Sequence, residues 1–176
     1  MAGLDAIYLY ESLGASDYIS SITTIATPHR GAPLADWADD ISKNESILYW
    51  VLRVLGYDLH TKYFISELKS KPVAQLAQIT IPLFSVACYA ESEDRSLTPL
   101  LRYFYSKTVS LSSKYGFSNT KNDGLVPLES QIAGTVIAYE KLDHLTELNH
   151  FVLAEKHNRA IKLYSTILEF LEKQGF

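Results

Sequence analysis

Apolar residues fall at helical spacing from Leu4 to Leu13 (LDAIYLYESL), and Gly14 follows as a residue at ease in the left-handed conformation that ends helices. The pattern predicts a short helix at the start. Tyr18 to Thr27 (YISSITTIAT) is rich in β-branched residues and closes at Thr27-Pro28, which predicts a central strand feeding a loop. From Asp36 to about Lys71 the periodicity is helical: Ser42 or Asn44 can cap SILYWVLRVLG, Gly56 closes it, and Lys62 to Leu68 predicts another helix. Ile81 to Ala90 (IPLFSVACYA) is a continuous apolar run of strand length, the mark of a strand buried on both faces. A loop follows, then a strand over Thr135 to Leu142 (TVIAYEKL), then a helix over Lys156 to Lys173 with Ile161, Tyr164, Ile167, Leu168 and Leu171 on one face.

The order is helix, strand, helices, strand, loop, strand, helix, the second half of an open, mostly parallel α/β sheet flanked by helices. One domain over residues 1–176 is expected, with a helical insertion at about 36–71. Ligand sites in such sheets form from loops at the carboxyl ends of strands.

Composition supports a packed core, since 47% of residues are hydrophobic and 20% are charged. The formal charge of -4 excludes the basic footprint of a nucleic-acid binder. Cys88 is the only cysteine, so neither an intramolecular disulfide nor a cysteine metal cage is available, and its apolar neighbours predict a buried thiol. No apolar stretch has the length of a membrane span. Met1 precedes Ala-Gly-Leu-Asp rather than a basic and then apolar region, and the sequence assigns no cellular address.

Four strand-terminal loops carry the candidate chemistry: Thr27-Pro28-His29-Arg30-Gly31, the polar stretch Glu91 to Ser96, Asn122-Asp123-Gly124, and Asp143-His144-Leu145. An acid and a histidine on separate loops at one sheet edge suit hydrolysis: the histidine takes a nucleophile's proton, and the carboxylate fixes its tautomer and stabilises the imidazolium. Asp123 and His144 fit those roles, with His150 as a rival base. Taken alone, Asn-Asp-Gly reads as a surface turn. His29 and Arg30 are expected to hold their loop in place, with Asp5 or Asp36 as partner for Arg30.

Four motifs in order resemble bacterial triacylglycerol lipases and their relatives among the α/β-hydrolases. The family's nucleophile elbow, G-H-S-x-G-G-L, continues here as Met1-Ala2-Gly3-Leu4, and its strand ending T-T-I-x-T-P-H-R-G matches Thr23 to Gly31. Its acid motif N-D-G-L-V matches Asn122 to Val126, and its histidine motif H-L-x-E-x-N matches His144 to Asn149. The resemblance implies the C-terminal part of an α/β-hydrolase, with Asp123 as triad acid and His144, rather than His150, as base. It implies a carboxylic ester hydrolase acting on lipid or other esters through a serine acyl-enzyme, in lipid degradation.

The same alignment sets the nucleophilic serine immediately before Met1, whose backbone N–H would be one oxyanion donor. The chain alone is therefore expected to be inactive. The alternative is a non-catalytic remnant, or a fragment that pairs with a separate N-terminal piece through its open sheet edge. The apolar face of Ile47, Leu48, Trp50, Val51, Val54 and Leu55 is expected to form a lipid-responsive lid. No cofactor is expected. Nor is a calcium site: relatives carry an aspartate where Thr146 stands, and no acid lies between Asp94 and Asp123. Ala2 replaces a family glycine, and Ile7 stands where arginine is common.

Overall fold

A computed structural model describes residues 2–41, 66–70, 79–91, 97–118, 120–144 and 154–176. Three strands among them, β1 (Ile22–Ile25), β2 (Leu83–Cys88) and β3 (Thr135–Glu140), form one sheet in the order β1-β2-β3. Both pairings are parallel: Ile22 lies opposite Leu83, and Cys88 opposite Glu140, with a register shift between Ser85 and Val86. Strand β2 is the central one, and every residue from Phe84 to Cys88 is buried. That is the burial expected from its unbroken apolar run. Strand β1, expected to be central, lies at an edge of this three-stranded sheet. β-branched composition reports burial of the two faces by helices, which does not distinguish an edge position from a central one.

Side chains alternate across the sheet. Phe84, Val86 and Cys88 meet the last helix, α4 (Ala154–Gln174), where Leu163 and Ile167 complete a core cluster with Ala26 and Leu142. Phe84 makes an edge contact with Phe170 at 5.2 Å. The packed stripe of α4 centres on Leu163, Ile167 and Leu171; Ile161, Tyr164 and Leu168, expected on the same face, are exposed. The apolar arc of this helix is wide, and the sequence alone does not say where the sheet bisects it. On the other side, helix α1 (Ala2–Ser12) comes so close that a Cβ on Gly3 would overlap Thr27 and press on Thr24. Glycine there is a packing requirement.

The expected loop between β2 and β3 contains a 14-residue helix, α3 (Pro99–Ser112). Thr98 caps it by accepting a hydrogen bond from the Leu101 N–H at 3.2 Å, and Pro99 occupies the first turn. Its buried stripe runs Leu101, Phe104, Tyr105, Thr108 and Ser112. The hydroxyl residues at the end of that stripe break the hydrophobic periodicity, which hides the helix from an apolar count.

Of the helical block expected at 36–71, the described parts are α2 (Pro33–Ile41), which packs on α3, and residues 66–70. They are tied together: the Ala32 N–H donates to the Leu68 carbonyl at 2.7 Å, Ser70 N–H to Asp36 at 2.9 Å, and Lys69 pairs with Asp39. Ile47, Leu48, Trp50, Val51, Val54 and Leu55 lie outside the described residues. Among the described residues no helix is long and apolar enough to cross a membrane.

Candidate active site

The acid loop is built by its own backbone. Asn122 bridges both Ala90, just past the end of β2, and Pro127, and the Ala90 N–H donates to the Asn122 carbonyl at 2.8 Å. The Asn122 side chain accepts from the Gly124 N–H at 2.8 Å, closing a tight Asx turn. Gly124 has φ +110°, and a Cβ on it would overlap the Leu101 side chain, so both conformation and space call for glycine. Within this turn Asp123 Oδ1 accepts from the Leu125 N–H at 2.8 Å and the Val126 N–H at 2.7 Å. The turn and the functional reading are thus compatible: the turn fixes one carboxylate oxygen and leaves the other for a second partner.

That other oxygen, Asp123 Oδ2, lies 3.0 Å from His144 Nδ1, in the loop after β3. A second bond runs from the His144 N–H to the Asp123 carbonyl at 2.8 Å. Asp123 is fully buried and the His144 side chain is 13% exposed. An ionised carboxylate only accepts, so Nδ1 carries the hydrogen and the ring's second nitrogen, Nε2, is the basic one. The two residues are 21 positions apart in sequence. His150, the rival base, and Met1, the expected oxyanion donor, lie outside the described residues.

The His29-Arg30 pair is structural in its contacts. His29 is buried, and its Nε2 lies 3.0 Å from Thr24 Oγ1, which donates its hydrogen to the Phe84 carbonyl at 3.2 Å. With that hydrogen used, the hydroxyl accepts from Nε2–H. Burial lowers the His29 pKa from 6.5 to about 4, keeping the ring neutral. Arg30 does not pair with Asp5 or Asp36. It faces Glu129 at 3.6 Å, donates to the Gly116 carbonyl at 3.2 Å and lies 4.7 Å from the centre of the Phe117 ring. Asp36 is instead engaged with Ser70. Glu129, Ser130 and Gln131, which brace the loops, come after the acid motif and Pro127-Leu128, and no residue type in that run signals its role. Among the described residues no three histidine, cysteine or acidic side chains converge to hold a metal ion.

No family model matches the chain. It is 32% identical over 160 residues to Triacylglycerol lipase 2 of Saccharomyces cerevisiae, an alignment covering 85% of the chain and 44% of that lipase. The chain thus spans less than half the length of the curated relative it matches. Among solved structures it is similar to a metagenomic carboxyl esterase, MGS0156, with TM-score 0.67 and 19% identity over 98% of the chain and 54% of the esterase. A lipase of Bacillus licheniformis, BlEst2 in mature form, matches at TM-score 0.49 and 19% identity, over 81% of the chain and 54% of the lipase.

Proposed function

We propose that this chain, which is related to lipases and carries part of an α/β-hydrolase fold, supplies the acid and base of a carboxylic ester hydrolase. The observation that carries the reading is the 3.0 Å contact between His144 Nδ1 and a buried carboxylate whose other oxygen is held by two backbone N–H groups. In the proposed cycle His144 Nε2 accepts the proton of a serine hydroxyl as its oxygen attacks the ester carbonyl. Asp123 stabilises the imidazolium, which returns the proton to the leaving alcohol. Water then repeats the sequence on the acyl-enzyme, releasing the carboxylic acid and regenerating the serine.

The nucleophile in this reading is a serine on the strand-to-helix turn that leads into α1, next to Met1, with the Met1 N–H as one oxyanion donor. The close packing of Gly3 on Thr24 and Thr27 supports it, because a helix seated so near the sheet can present a residue at its start to the loops beyond β1. The name of the yeast relative supports acylglycerols as the substrate class. A second reading, a piece that associates with a separate serine-bearing segment, is favoured by the position of β1 at a sheet edge among the described residues.

The test is hydrolysis of p-nitrophenyl esters of short and long acyl chains by the 176 residues alone, by the same residues joined to an upstream segment ending Gly-His-Ser, and by the joined form carrying His144→Ala. Activity is expected from the joined form only. A separately supplied segment that restores activity would favour the second reading. Robust turnover by the 176 residues that survives both Asp123→Ala and His144→Ala would refute both.

A further inference from the structure

Gln131 is among the largest fully buried side chains and is fully enclosed, yet it is polar and sits outside every motif that pointed to the site. Each of its amide groups is satisfied by the backbone. Its Oε1 accepts from the Cys88 N–H at 2.6 Å, and its Nε2 donates to the Cys88 carbonyl at 3.0 Å and to the Val126 carbonyl at 3.1 Å. A buried amide so placed stands in for a peptide group.

The strand alternation explains why one is needed. The Val86 carbonyl accepts from the Ala26 N–H, so Val86 directs its backbone groups toward β1, and Cys88, two residues on, directs its own the same way. Strand β1 has already turned off at Ala26, whose φ is +48°. The rung that β1 leaves open at Cys88 is filled by the Gln131 side chain. Its third bond reaches across to residue 126, whose N–H holds Asp123 Oδ1 at 2.7 Å.

We infer that Gln131 is a positioning residue for the acid–base pair: it locks the acid loop in register on the end of β2 and so sets Asp123 against His144. The inference rests on the reading of Asp123 and His144 as acid and base. It assigns Gln131 no contact with substrate; the side chain acts through residue 126. Removing its bonds takes a partner from the Cys88 N–H and carbonyl and leaves the Val126 carbonyl with the longer 3.3 Å bond from the Asp123 N–H, and the loop then has freedom to shift away from β2.

The readout is the His144 Nδ1–H proton, whose nuclear magnetic resonance signal is displaced to low field and slowed in exchange while it is bonded to a carboxylate. It is assigned by its disappearance in His144→Gln. In the full chain, Gln131→Met, of similar length but without hydrogen bonds, is expected to lose this signal or to raise its exchange with water by about tenfold or more, the scale of one hydrogen bond. Ser130→Ala removes an equally buried bond, to the Gly31 carbonyl at 2.5 Å, and is expected to keep it. Wild-type exchange in Gln131→Met, or equal losses in the two variants, would overturn the inference, the latter by showing general weakening. Should Gln131→Met fail to fold, the wild-type chain decides the matter. Under increasing denaturant the Gln131 side-chain amide, the Val126 N–H and the His144 Nδ1–H should then open together, and opening of the histidine while Gln131 stays protected overturns it. A wild-type chain with no such low-field signal removes the acid–base reading itself, and the inference with it.

Discussion

Acidification should unfold this protein partly through one residue, His29. The residue is 6% exposed, its ring donates from Nε2 to Thr24, and burial lowers its pKa from 6.5 to about 4. A group whose pKa is depressed in the folded state contributes stability that is fully present above its unfolded value. Here that contribution is lost as pH falls from 6.5 through about 4, because the unfolded chain takes up a proton that the folded one resists. At about 1.4 kcal/mol per pH unit, the interval corresponds to about 3 kcal/mol. For a chain of this size that is roughly 6–12 °C in melting temperature. Carboxylates also weaken folding in acid, so the measurement is a comparison. Urea unfolding of the wild type and of His29→Gln, which keeps a donor for Thr24 but does not titrate, is followed from neutral pH down to about pH 4. The wild type is expected to lose about 3 kcal/mol more than the variant over that range. Parallel curves would show that His29 is as easily protonated in the fold as outside it, and would refute the argument.

Two further outcomes follow from the site and its supports. In the chain joined to a serine-bearing segment, Asp123→Asn presents an amide where His144 Nδ1–H needs an acceptor, and ester turnover should fall by about 10⁴-fold; a loss under tenfold would remove Asp123 from the acid role. Gly31→Ala forces a side chain onto a residue at φ +76°, where its Cβ would overlap the Lys69 carbonyl, so equilibrium unfolding should show a loss of about 2 kcal/mol or more.

What the sequence made legible is the part written in local chemistry. Asn122-Asp123-Gly124 was legible as a turn, while Asp123 stood out as a candidate acid only through the resemblance of Asn122 to Val126 to a lipase motif, and the continuous apolar run at Leu83–Cys88 marked a strand buried on both sides. Helix α3 escaped because Thr108 and Ser112 fill its buried stripe, where an apolar count reads polarity. Thr98-Pro99 was the signal present, a capping residue followed by a proline fit for a first turn. The partner of Arg30 escaped for a different reason: Glu129 is 99 positions away, and nothing local distinguishes it from Asp5 or Asp36. Charge complementarity in sequence has no range, whereas an ion pair has one of a few ångströms.

The supports of the Asp123–His144 contact range from bonds inside the acid loop to the Gln131–Cys88 bonds, which span 43 positions against 21 for the contact itself. The N–H groups that hold Asp123 come from Leu125 and Val126, the amide that braces residue 126 comes from Gln131, the strand end it is anchored to is Cys88, and the second bond to His144 comes from the Asp123 carbonyl. All of them lie between residues 88 and 144, on β2, β3 and the chain that joins them. These bonds need β2 and β3 paired and the acid loop folded, while the loop after β1 adds its own ties through Arg30 and Gly31 to Glu129 and Ser130. The electrostatic work proposed for this pair, holding an imidazolium at the moment it forms, depends on groups that do not have to reorganise. Among the described residues, backbone amides and one buried glutamine contribute bonds that resist reorganisation, which is why substitutions that spare every charged residue are expected to disturb the pair.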